Sequence, residues 1–456
     1  MKVLRVIFVL TFIDNINIQV AAMPKPNYIL QHLGSRTPYR FKSNKNDTRI
    51  KYPDCKDLKI WMIIRHGTRY PKTKDILAAQ NLTKQKEEIL LQHKMGKGQL
   101  TEEQLKQLEN WKPTANVEQE RYLTMEGQDE MVLLAERMQK RFPNAIKEKY
   151  CNKTYLFRHT PTQRTLKSAR YFINGLFEKK VAQDVVLPPV TKQDKVLRFY
   201  KYCDKWQKQV KKNPETYKER ELYGISREMN ETLESLSSRL GLSTILTLGL
   251  ANTMYKVCGY ETAWNKHSMS PWCNAFDEKT IQTFEYYHDL KYYWLDGYGF
   301  ELTYRQACIP IKHMFDTLSN EESPRATFLF THSGTILKIL AYLGLYKLES
   351  PLRGTRHVEN RSWRVSDIDS FAANIAFVLF KCKTGDHILT LHQEKIIRLP
   401  MCSEDLCPLK TLEHYFHDSI SHCDFDKMCS LGTDDVIIDS KSLKNLTTSE
   451  NVSKEL

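Results

Sequence analysis

The segment K59-I-W-M-I-I-R-H-G-T-R-Y-P71 decides how the rest of the chain is read. Its opening, Lys59 to Ile64, is almost wholly apolar and does not alternate with polar residues. A strand with one wet face alternates, so this run predicts a strand buried on both faces of an α/β sheet. The run ends at Arg65, and His66 and Arg69 follow at once. Ligands of α/β folds bind at the carboxyl edge of the sheet. Arginine forks match phosphate oxygens and keep their charge, while a histidine of ordinary pKa ~6.5 can offer a neutral nitrogen to phosphorus. Gly67 is expected to let the backbone turn closely around a ligand. A basic strand end that binds an anion without chemistry is the rival reading, and a histidine between two arginines weakens it.

Further strands are expected at 152–157, 327–330, 376–380 and 388–391. Helical spacing of apolar residues appears at Met131, Leu134, Ala135 and Met138, again from Leu166 to Leu176, and at Ile336, Ile339, Leu340 and Leu343. From 181 to 320 the pattern is helical and aromatic, and its stripe FEYYHDLKYYWLDGYGF (284–300) reads as core. Strands and helices alternate at both ends of the chain. The expected fold is α/β, with a central mixed, mostly parallel sheet flanked by helices and a mainly helical second domain. The expected layout is a core of 23–180 plus 321–415, with a helical insertion near 75–120. A helical domain follows at 181–320 and a polar tail at 416–456. Residues 23–58 read as an extended lead-in to that core.

Residues 1–22 have the basic start, short apolar stretch and small-residue cleavage site of a secretory signal. No later run is long enough to span a membrane, and the C-terminus lacks an anchor tail. Seven Asn-x-Ser/Thr sequons, at Asn46, Asn81, Asn152, Asn230, Asn360, Asn445 and Asn451, agree with secretion. With 11 cysteines, at least one stays free or pairs between chains. Cys258 with Cys273, Cys402 with Cys407 and Cys423 with Cys429 are the local pairings. The terminal SKEL resembles an endoplasmic-reticulum retrieval signal with Lys454 in an acidic position. Secretion and residence in the reticulum lumen both remain open.

A net charge of +14 suggests a polyanionic partner. The sequence has no nucleic-acid-binding signature and no cysteine–histidine group of zinc spacing; a phosphate-rich small molecule fits the charge as well, scattered lysines that aid solubility are the rival reading, and no cofactor or metal is expected. In RHTPTQRTLKSARYFINGL (158–176), Arg164 sits at an expected helix start, where an anion is favoured. Arg158, His159, Lys167 and Arg170 read as ordinary surface charge. In FLFTHSGTILKIL (328–340), His332 ends a strand and Ser333 is placed to cap the next helix.

Together these clusters resemble the histidine acid phosphatases. RHGTRYP matches their RHGxRxP signature, QRTLKSA their second arginine motif, and His332 their second active-site histidine. LGSRTPY (33–39), LTMEGQDE (123–130), SPWCNAFD (270–277), YYWLDGYGF (292–300) and FAANIAFVLF (371–380) point within that family to the inositol polyphosphate phosphatases. The resemblance implies a histidine-phosphatase sandwich with a cleft between an α/β core and a helical domain. It makes His66 the nucleophile of a phosphohistidine intermediate. Arg65, Arg69, Arg164 and His332 then hold the phosphoryl group. Lys72 and Lys74, just past the motif, are either contacts for further phosphates of the substrate or a solvated pair.

One position departs from the family. A carboxyl normally follows the second histidine and protonates the leaving alcohol, but this chain reads His332-Ser333-Gly334. The proton is therefore expected from Asp367 or Asp369, from water, or from the substrate's own phosphates. The alternatives are a catalytically weakened polyanion-binding homologue and an acid phosphatase of broader range.

Overall fold

A computed structural model describes residues 26–432. The expected leader, the sequons at Asn445 and Asn451 and the SKEL terminus lie outside them. The strands are β1 (Cys55–Arg65), β2 (Tyr155–His159), β3 (Ala326–Thr331), β4 (Asn374–Cys382), β5 (Gly385–His392), β6 (Lys395–Ile396) and β7 (Leu406–Pro408). Four helices matter for the site: α1 (Met125–Arg141), α2 (Gln163–Leu176), α3 (Glu278–Asp296) and α4 (Ser333–Tyr342).

The apolar run of β1 is buried on both faces. Trp61 and Ile63 enter one hydrophobic core, and Ile60, Met62 and Ile64 enter the other. In β4, Ile375, Phe377 and Leu379 join the first core, while Ala376, Val378 and Phe380 join the second. Covering both faces removes any need for polar alternation, which is why these strands read as continuous apolar runs.

The sheet order is β2-β3-β1-β4-β5-β6, with β7 paired to β5. It is mixed, as expected, but not mostly parallel. Only β1–β3 and β2–β3 are parallel; the β1–β4, β4–β5, β5–β6 and β5–β7 pairings are antiparallel. For β4–β5 the reason is local: Cys382 pairs with Gly385, and so short a link can join only antiparallel strands. No strand lies between β2 and β3, where the chain is helical from Gln163 to Ser319 apart from connecting loops.

Several expectations are corrected. Leu166 lies in α2 but is 36% exposed, so the buried face is carried by Ala169, Phe172, Ile173 and Leu176. The lead-in is not an extended appendage, because Leu33 to Tyr39 is buried, with Leu33 in the core shared with the helical region and Tyr39 in the other core. The tail does not begin at 416: Phe416 and Phe425 are core residues, and helices run over His417–Ser421 and Phe425–Cys429.

Disulfides link Cys258–Cys273 and Cys402–Cys407, as the spacing suggests. Cys423 and Cys429 do not pair with each other. Cys423 joins Cys308, Cys429 joins Cys203, and Cys55 joins Cys382 across β1 and β4. Packing of the C-terminal segment on the helices brings the first two pairs together, and the β1–β4 register brings Cys55 to Cys382. Cys151 is free and exposed. The sequon asparagines Asn46, Asn81, Asn152, Asn230 and Asn360 are all exposed. Among the described residues no helix is long and apolar enough to cross a membrane.

Candidate active site

Parallel pairing brings the carboxyl ends of β1, β2 and β3 to one edge. The register sets Arg65 opposite Thr331, and the His66 N–H donates to the Thr331 carbonyl at 3.1 Å. His66 and His332 therefore emerge side by side, with ring centroids 5.5 Å apart. They open into a cavity of about 410 Å³. Arg65, Arg69 and Arg164 line it with both histidines, as the sequence leads one to expect. Lys72 lines it as well, whereas Lys74, two residues further into the helix Thr73–Gln80, does not.

Helix α1 locks the loop that carries His66. Thr68 donates through its N–H and its hydroxyl to the Glu130 carboxylate, at 2.7 and 2.8 Å. Burial pushes the Glu130 carboxyl up to about 7. Gly67 and Gly127 let the loop and helix touch. A Cβ on Gly67 would collide with the Gly127 carbonyl, and one on Gly127 with the Thr68 carbonyl. Gly67 thus serves close packing against α1 rather than a turn around a ligand.

The tautomers follow from the partners. His66 Nδ1 lies 2.9 Å from the Gly67 carbonyl, which only accepts, so Nδ1 carries the proton and Nε2 keeps its lone pair. Burial, and then Arg164, Arg65, His332 and Arg69, hold the imidazole well below its ordinary pKa. It is neutral and able to act as a nucleophile. The guanidinium of Arg164 donates from Nη2 to His332 Nδ1 at 3.3 Å, so the His332 proton lies on Nε2 and is donated to the Thr160 hydroxyl at 2.9 Å. Both nitrogens of His332 are engaged within the protein, and the ring orients Arg164. Burial, followed by Arg164, Arg198, Arg69 and Arg65, keeps this histidine neutral too.

Arg65 is 3% exposed and donates from Nη1 to the carbonyls of Asp369 and Ser370, at 2.6 and 2.9 Å. Its Nε, like that of Arg164, is buried without a hydrogen-bond partner. Burial and the neighbouring Arg69, Arg121 and Arg198 lower the Arg164 pKa to about 9, which leaves it charged at neutral pH. Such a crowd of cations is self-repelling until an anion enters.

The wall holds further cations that sequence reasoning missed. Arg36, Arg121 and Arg198 line the cavity, as do Lys201, Lys256 and Lys291, against a single carboxylate among the described residues, Asp75. Arg36 stands in the quoted LGSRTPY segment, but the others lie in helical or loop sequence with no local signature. The aromatic stripe of α3 is core, as expected, yet His288, Lys291 and Tyr292 from it also face the cavity. Arg158 pairs with Asp194 at 2.5 Å, and neither it nor His159, Lys167 or Arg170 lines the cavity.

The acid candidates separate clearly. Asp367 is half-exposed, bonded to Lys42 at 2.6 Å, and away from the lining. Asp369 has no exposed surface and accepts a hydrogen bond from Ser333. Ser333 does not cap α4: His332 holds the cap position without a side-chain bond, and the Ser333 hydroxyl turns to Asp369. Thr335 is buried, its hydroxyl donating to the Leu197 carbonyl at 2.8 Å.

Comparison with known proteins places the chain in a family. Residues 59–399 match the histidine phosphatase superfamily (branch 2). The chain belongs to that family. It is 32% identical to multiple inositol polyphosphate phosphatase 1 of Drosophila melanogaster over 393 residues, 83% of each chain. It is 26% identical to the Homo sapiens protein of the same name, over 87% of this chain and 85% of the other. The fold is similar to the phytase from D. castellii, with TM-score 0.70, 14% identity and coverage of 94% and 93% of the two chains. It is also similar to the multiple inositol polyphosphate phosphatase of Bifidobacterium longum in complex with inositol hexasulfate, with TM-score 0.65, 14% identity and coverage of 87% and 99%.

Proposed function

We propose that the protein is a secretory-pathway phosphomonoesterase that removes phosphates from inositol polyphosphates through a phosphohistidine on His66. One observation carries this reading: a neutral histidine with a free Nε2 lies at the base of a cavity whose charged lining is almost entirely cationic. His66 attacks phosphorus, and Arg65, Arg69 and Arg164 stabilise charge on the equatorial oxygens. The covalent intermediate divides one difficult displacement into two easier ones. His332 holds Arg164 in place. Lys72 and the outer cations suit the remaining phosphates of a polyanion better than a simple monoester.

The cavity draws its walls from 23–180, 181–320 and 321–415, which fits a cleft between a discontinuous α/β core and a helical domain. Disulfides at five cysteine pairs favour an oxidising compartment, either outside the cell or in the reticulum lumen.

Purified protein is expected to release phosphate from phytate, and His66→Ala to abolish release. Equal, undetectable release from both would leave a polyanion-binding homologue, the reading that the missing carboxyl at Gly334 favours. Faster turnover of simple monoesters than of phytate would point to a broader acid phosphatase.

A further inference from the structure

For a phosphomonoesterase of this kind, cleaving an alkyl ester leaves an alkoxide, and no carboxyl follows His332 to protonate it. The space beside Gly334 is taken by Asp296, whose Oδ1 lies 3.1 Å from where a Gly334 side chain would begin. Asp296 is tied to Lys338, a lysine with no exposed surface. The Oδ1 of Asp296 is taken up by that contact, and Asp296 does not line the cavity, so it is not placed to reach the leaving oxygen.

Asp369 is placed differently. It directly follows the short helix Val365–Ile368 and is fully buried. Its Oδ2 is hydrogen-bonded to the Ser333 hydroxyl, which donates when the carboxylate is ionised and accepts when it is protonated, turning the serine hydrogen toward the cavity; its Oδ1 has no hydrogen-bond partner. Ser333 lines the cavity next to His332, whereas Asp369 stands behind it, outside the lining. Arg65 Nη1 lies 3.4 Å from Asp369 Oδ2 and makes shorter bonds to backbone carbonyls.

We propose that Ser333 and Asp369 form a proton relay in place of the missing general acid, with Ser333 touching the leaving oxygen and Asp369 supplying the proton through it. As the His66 Nε2 lone pair forms the N–P bond, the ester P–O bond breaks and its electron pair passes to the leaving oxygen. That oxygen takes the Ser333 proton, and Ser333 takes the Asp369 proton, leaving an aspartate beside Arg65. In the second step water attacks phosphorus and the P–N electron pair returns to His66. The water proton passes to Ser333 and the Ser333 proton to Asp369, which restores both groups.

The charged groups facing Asp369 are Arg65 from β1 and Asp296 from α3. Ser333 is neutral, and His66 and His332 are held neutral by burial and by the arginines. Burial outweighs Arg65 and raises the Asp369 carboxyl to about 6. The relay is loaded below that value and empties as pH rises through it.

The test compares two esters in single-turnover mode, so that only P–O cleavage is read. Phytate leaves as an alkoxide that needs a proton, whereas p-nitrophenyl phosphate leaves as a stable phenolate. In Ser333→Ala and Asp369→Asn, the ratio of phytate to p-nitrophenyl phosphate cleavage is expected to fall ~10²–10⁴-fold, the usual worth of a general acid. Ser333→Thr, which keeps a hydroxyl, should hold most of the ratio. Asp369→Asn should also lose the decline in phytate cleavage above about pH 6. Equal loss on both esters would mean that the pair only braces Arg65, and no loss on either would mean that the proton comes from elsewhere; both results overturn the relay. If Asp369→Asn does not fold, Ser333→Ala decides, because it leaves the Arg65 contacts in place. A wild-type protein that cleaves neither ester would overturn the phosphatase reading itself, and the relay with it.

Discussion

His66 is neutral because burial and the surrounding arginines act in the same direction. A nucleophile whose pKa lies well below ~6.5 stays unprotonated in mildly acidic solution. Formation of the phosphoryl-enzyme should therefore persist below pH 6.5 and fail only as pH drops through the depressed value, as a pH–rate profile on p-nitrophenyl phosphate would show. Gly334 allows a sharper prediction. Restoring a family-like acid by Gly334→Glu would press a second carboxyl against Asp296, whose Oδ1 is 3.1 Å from the new Cβ. Overpacking and like charge should cost roughly 1–3 kcal/mol in urea unfolding, with no gain in phytate cleavage. Wild-type stability with faster cleavage would show that the space is open. The absence of an acid at 334 is plain in the sequence, but not the fact that Asp296 fills its place.

At the scale of elements, β1 was legible because burial on both faces leaves one unbroken apolar run. The β4–β5 hairpin was not, since Lys383 and Thr384 carry no strong turn signal and the antiparallel partner is set by β1 as much as by the turn. The loop after β1 depends on α1 for its shape. Gly127→Ala would drive a methyl group into the Thr68 carbonyl. It should destabilise the fold by about 1–3 kcal/mol or more and lower phosphate release by displacing His66. Denaturant unfolding alongside a phosphate-release assay reads both effects. An unchanged variant would mean that α1 does not set the loop. The 3.6-residue periodicity of α1 was visible in Met131, Leu134, Ala135 and Met138, but its second role, offering Glu130 to Thr68, was hidden because one helix face serves both the core and the loop.

The whole molecule is closed by contacts between parts far apart in sequence. Cys203–Cys429 and Cys308–Cys423 fasten the C-terminal helices to the helical region, across separations of 226 and 115 residues. Loops of that length restrict the denatured chain strongly. The double substitution of Cys203 and Cys429 by alanine should cost about 2–5 kcal/mol in urea unfolding. No change would mean that the segment is held by Phe416 and Phe425 alone. Charge also acts at this scale: the cavity's cations should bind phytate with an affinity that drops steeply as salt rises, read by titration calorimetry at low and high ionic strength. By itself the sequence determined the buried strands, the histidine between arginines, the second histidine at a strand end and the missing acid, because each is written in consecutive residues or in a short period. Only the tertiary structure decided that Ser333 meets Asp369, that Thr68 rests on Glu130, that Asp296 and Lys338 occupy the room beside Gly334, and which cysteines join. Those pairings are fixed by how helices and strands pack across tens to hundreds of residues, and local propensity carries no record of it.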